Sequence, residues 1–175
     1  MADWHVQCMA ALRGLAVDSQ FWDDRLAPLR TSDEFPFRVH LAIFVEPFLT
    51  FILQGRKTIE SRFSLVKCAP YDRVSSDDLI LLKRAAGPVV GLCRVTSAWF
   101  YELDANSLRQ IRDRFASAIC ADDAFWDARS ACSYATLMTV SDPIEIPHFH
   151  VSKRDRRGWA IVNPSTGTAA CELFT

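Results

Sequence analysis

The chain has 175 residues, half of them apolar and 23% charged, with a formal net charge of −1. That length suffices for one domain with a sizeable core. Near-neutrality excludes a strongly basic nucleic-acid coat but leaves room for a local basic patch.

Six cysteines, at positions 8, 68, 93, 120, 132 and 171, include no C-x-x-C pair. A zinc ribbon or thioredoxin-type site is thereby disfavoured, and reduced thiols in a cytoplasmic protein are expected. Residues 1–15 carry Asp3 and no long apolar run, so no signal peptide is expected. No apolar run approaches the ~18 residues of a membrane span.

Asp3 is placed to cap a helix over Trp4 to Leu15. Asp18 or Ser19 is placed to cap a second, with Phe21, Arg25, Leu26 and Leu29 down one side. The polar, proline-bearing stretch 31–36 predicts a boundary between a helical extension, 1–37, and a main domain, 38–175. The extension is apolar enough to brace that domain; a partner-binding role is the alternative.

Val39 to Val45 reads as a buried strand. Pro47 suits the first position of a short helix running to Gln54, with Phe48, Phe51 and Ile52 on one face. Gly55 can close that helix in the left-handed conformation. The period then changes to two, with Ile59, Ser61 and Phe63 alternating with Glu60 and Arg62. After a loop from Ser64 to Asp78, strands at Leu79–Lys83 and Pro88–Trp99 form a hairpin through 84–87. Asp104 caps a helix bearing Leu108, Ile111, Phe115 and Ile119, and Asp122 a shorter one bearing Phe125 and Trp126. Tyr134–Val140 is a strand, bent at Asp142-Pro143 and continued by Ile144–Ile146; Trp159–Val162 is the last. Five or six short strands among helices predict an α+β chain whose sheet closes into a small barrel.

The chemistry concentrates at the helix–glycine–strand junction. Lys57 there can bind phosphate as a point charge or, if desolvated, act as a base or nucleophile. Glu60 shares a strand face with Arg62 and can pair with Arg62 or Lys57, either to orient a cleft or to act in catalysis. Arg56 and Ser61 are further ligand contacts or ordinary surface, and Lys83 is a cleft partner or an exposed hairpin lysine. Lys153, Arg154, Arg156 and Arg157 precede Trp159, a combination suited to single-stranded nucleic acid. Trp159 opens an apolar strand, so its ring is as readily core. His148 and His150 alone do not complete a zinc site, and no metal or cofactor is predicted.

Gly55, Lys57, Glu60 and Arg62 form G-x-K-x-x-E-x-R, which resembles the signature of the ASCH domain, a PUA-like family. The run from His40 to Phe48 resembles that family's first strand and helix entry, and the resemblance covers roughly 39–163. It implies a PUA-like barrel that binds RNA, other single-stranded nucleic acid or a nucleotide-like small molecule. It also implies two enzymatic alternatives, since some relatives are amidohydrolases on an acetylated cytidine nucleoside and others cleave RNA. In the amidohydrolase branch a threonine follows the motif lysine by three positions. Glu60 stands there in this chain, and the branch's downstream carboxylate would have to come from Asp122 or Asp123. The N-terminal helices motivate a third alternative, a non-catalytic, coactivator-like interaction module.

Overall fold

A computed structural model describes residues 3–153 and 157–163. Helix α1 (Trp4–Arg13) starts where Asp3 accepts a hydrogen bond from the His5 amide, and stops two residues short of Leu15 as the chain turns at Gly14. Ser19, rather than Asp18, caps α2 (Gln20–Thr31). In this pair Cys8, Leu12, Trp22, Leu26 and Leu29 are buried in one core with Val39, Leu41, Leu79, Leu81, Val89 and Leu92 of the sheet.

Six strands form one sheet: β1 (Val39–Phe44), β2 (Ile59–Ser64), β3 (Leu79–Arg84), β4 (Val89–Glu102), β5 (Tyr134–Phe149) and β6 (Trp159–Asn163). The order is β2-β5-β4-β3-β1-β6, with β1 and β3 parallel and the other neighbours antiparallel. The near-continuous apolar run of β1 has a simple cause. Val39 and Leu41 face the N-terminal helices, while Ala42 and Phe44 face a second core with Leu49 and Ile52 of α3 (Phe48–Leu53). A third cluster packs Ile59, Ala135 and Leu137 under α4 (Ala105–Ile119) and α5 (Asp123–Asp127), which Asp104 and Asp122 cap as expected.

The sheet is an α+β curled half-barrel. Its curl comes from register shifts in the β4–β5 ladder, including one between Leu92 and Arg94. Opposite that point Asp142 adopts φ 53°, so the predicted bend is a bulge within one long strand rather than a break between two. Pairing with β4 carries β5 on to Phe149. In the described residues β2 and β6 are the edges, and no ladder joins them.

Two features set α3 and β6 in place. A Cβ on Gly91 would stand 2.7 Å from Leu53 Cδ2 and 3.0 Å from Ile144 O, so only glycine lets α3 lie this close to the sheet. Beneath β6, the Trp159 indole N–H donates to His40 Nδ1 at 3.1 Å, and His40 Nε2 lies 2.9 Å from Asp78 Oδ2. Indole can only donate, so His40 accepts at Nδ1 and donates from Nε2 to Asp78. Asp78 also accepts the amides of Arg38 and Ser75. This buried chain ties β1, β3 and β6 together.

Candidate functional site

Helix α3 has Pro47 at its cap position rather than its first helical one, and Gly55 closes it at φ 70°. The amides of Arg56 and Lys57 both return to Phe51 O at 2.9 Å. This tight exit drives the Lys57 side chain inward, beneath the C-terminal end of α4, while Thr58 N bonds Ala118 O. Lys57 is only 3% exposed. Its ammonium donates to Ile59 O at 2.8 Å and Ile119 O at 3.0 Å, lies 3.3 Å from Glu60 Oε2, and sits over the Phe48 ring. Ile119 ends α4, where the helix dipole favours a cation. Burial pulls the Lys57 pKa below that of an ordinary lysine, and Glu60 partly restores it. Three protons meet three protein acceptors, so a phosphate would have to displace one of them.

Glu60 is as buried as Lys57 and lies between two cations, with Arg62 Nε donating to its Oε1 at 2.7 Å. Arg62 crosses the open side of the half-barrel. Its Nη1 donates to Gly158 O at 3.2 Å and its Nη2 to Ile43 O at 3.1 Å, with the Phe44 and Trp159 rings against the guanidinium.

These residues line a cavity of about 230 Å³ whose walls also include Phe48, Phe63, Phe125 and Arg129. The cavity lies along the unpaired edge of β2. Thr58 O and Ser64 O accept from Val140 and Ser133 at the β5 side. Peptide groups alternate sides along an antiparallel strand, so those of Ser61 turn to the free edge, towards the cavity. The Ser61 hydroxyl is buried and has no hydrogen-bond partner among the described residues. Burying a hydroxyl unpaired is unfavourable, and such an atom calls for an explanation.

The remaining predicted residues lie elsewhere. Arg56 is exposed, its guanidinium 4.1 Å from the Phe51 ring centroid. Lys83 donates to the hairpin carbonyls of Gly87 at 2.7 Å and Arg84 at 3.2 Å; burial, then Lys153, lowers its pKa. Lys153 Nζ donates to Arg157 O at 2.8 Å. Arg157 lines a different, larger concavity. Arg154 and Arg156 lie outside the described residues. Trp159 is 3% exposed, and its ring belongs to the core. Asp122 and Asp123 are exposed; they bond the Phe125 amide and Arg112 and are not among the cavity's lining residues.

Arg129 was not legible in the sequence, because it sits in an aperiodic turn after α5. Its guanidinium carbon is 3.4 Å from the Phe125 ring centroid, its Nη1 donates to Phe125 O at 2.7 Å, and burial lowers its pKa. Phe63, Phe125 and Arg129 thus form one wall and the Lys57–Glu60–Arg62 cluster the other. The arrangement offers aromatic surface, a carboxylate with lone pairs to spare, and an edge-strand peptide.

No protein-family model matches the chain, and no curated protein matches it. Solved structures do. The ASCH protein from Zymomonas mobilis superposes with a TM-score of 0.51 at 13% identity, over 63% of this chain and 71% of its own. Two single-substitution mutants of that protein give 0.51 at 14% identity and 0.52 at 13%, each over 63% of this chain and over 74% and 72% of their own. The fold is ASCH-like.

Proposed function

We propose that this chain binds RNA or a nucleotide-like ligand by seating one base in the cavity at the free edge of β2. The observation that carries this reading is a cavity at the free edge of β2 that both Glu60 and Ser61 line, with the Ser61 hydroxyl buried and without a hydrogen-bond partner among the described residues. A base edge presents N–H donors and ring or carbonyl acceptors in one plane, the complement of such a set. Phe44, Phe48, Phe63 and Phe125 supply apolar and aromatic surface for its faces. The cavity lies below the ~300–1,000 Å³ of sites for drug-sized ligands, which suits one base rather than a folded oligonucleotide. Lys57 and Arg62 hold Glu60 in position from either side.

Titration with the four nucleoside monophosphates, followed by intrinsic fluorescence, tests the reading. Ser61→Val and Glu60→Gln should each weaken binding about tenfold, the loss of one good hydrogen bond. A site that only grips phosphate predicts the opposite for Glu60→Gln, namely unchanged or tighter binding, since an anion is removed. Hydrolysis receives less support, because the Lys57 ammonium is committed to three protein acceptors. Mass spectrometry of short RNAs and N4-acetylcytidine after incubation with the protein checks this. Product from either would transfer the same cavity to the enzymatic reading.

A further inference from the structure

We infer that the cavity is the first position of a longer track, and that single-stranded RNA leaves it along the open side of the half-barrel to end against the N-terminal helix α1. The inference takes its starting point from the base-binding reading above, but its own observations lie elsewhere.

Three concavities form a chain. Arg62 and Phe63 line the base cavity and also a neighbour of about 190 Å³. Cys68, Ala69 and Trp159 line that neighbour and also a third concavity of about 700 Å³. All three lie beside β2 or β6, the two strands that no ladder joins among the described residues.

The third concavity carries the chemistry of a strand-binding surface. Among the described residues, Lys67, Arg73 and Arg157 line it together with one acidic side chain, Asp72. Arg73 is exposed, while its own carbonyl is fixed by Arg38 Nη1 at 2.9 Å, so the backbone beneath the cation is anchored. Lys67 pairs with Glu102 at 2.8 Å, but both side chains are more than half exposed. Such pairs are weak and screened, and a phosphate can replace the carboxylate. Tyr71 lines the same wall, its ring centroid 5.6 Å from Phe100 and 5.3 Å from Tyr134, with the Lys67 ammonium 5.6 Å away. Trp4, from α1, lies in the same wall. Cations and aromatic rings in one concave wall can bind an unpaired strand through its phosphates and bases together. A duplex keeps its base faces stacked and cannot use rings set in a concave wall.

The test uses the full chain, a fluorescently labelled mixed-sequence RNA octamer, and the nucleoside monophosphates. Arg73→Glu and Lys67→Glu alter exposed side chains, and circular dichroism confirms that each variant is folded. Wild type should bind the octamer at least tenfold more tightly than any monophosphate. Each variant should weaken octamer binding by about tenfold or more in low salt and flatten the salt slope by about one to two units, leaving monophosphate affinity unchanged. No gain in affinity from monophosphate to octamer would overturn the track. So would octamer binding that neither variant alters. Octamer binding that depends on Arg73 and is indifferent to Ser61→Val, with no monophosphate bound, would retain the track and discard the base cavity.

Discussion

Replacing Lys57 by Met keeps most of the aliphatic stem and deletes the ammonium, which isolates the charge from the packing. Two buried carbonyls, Ile59 O and Ile119 O, then lose a donor, at about 1–3 kcal/mol for each buried polar group left unmade. Glu60 loses the cation 3.3 Å from its Oε2 but keeps Arg62 Nε 2.7 Å from its Oε1. Against these losses stands the relief of no longer burying an ammonium, which is several kcal/mol. Breaking a buried pair by removing one partner costs about 3–5 kcal/mol, and the surviving Arg62 contact places the expectation at the lower end, about 3 kcal/mol. Urea unfolding followed by circular dichroism should show this as a lower midpoint at unchanged slope. Lys57→Met and Glu60→Gln should be non-additive, with a coupling of about 1–3 kcal/mol between neighbours in one network. A loss below about 1 kcal/mol, or strict additivity, would mean that the ammonium does not hold the carboxylate, and the account of the site would fail.

Gly91→Ala places a methyl against Leu53 and the Ile144 carbonyl, so it should cost about 1–3 kcal/mol by overpacking and weaken nucleotide binding by displacing α3; wild-type stability and affinity would refute the close-packing argument. The lowered pKa of Lys57 has a signed consequence for pH. Between that depressed folded value and the ordinary 10.5, the unfolded chain binds more protons at this residue, so its contribution makes stability rise with pH in that window. Chemical denaturation across alkaline pH should show the rise in wild type relative to Lys57→Met; parallel curves would contradict the burial.

Much of the frame was legible because local signals and burial agreed. Asp104 and Asp122 cap the helices they precede, and Gly55 takes the left-handed turn after α3. The alternation from Ile59 to Phe63 correctly puts Glu60 and Arg62 side by side. The length of β5 was harder to read, since Asp142-Pro143 looks like a stop in sequence and is absorbed as a bulge only because β4 runs alongside. The partners of the site were harder still. Nothing near Lys57 in sequence announces that the end of α4, 62 residues away, supplies a carbonyl to its ammonium. Arg129 enters the cavity through the packing of α5 on Phe63, a contact between segments with no common periodicity. Trp159 is the converse case. Its basic neighbours suggest a stacking surface, but its apolar strand and its bond to His40 take the ring inside.

The guanidinium of Arg62 also bears on the free edge of β2. A strand paired on one side only is a template on which a strand of another molecule can dock. In β2 that side is spanned by a charge whose donors reach Ile43 and Gly158 across the gap. An incoming strand would have to strip the cation of its acceptors and bury it without replacement. The residue that frames the cavity therefore also places a charge where an incoming strand would dock.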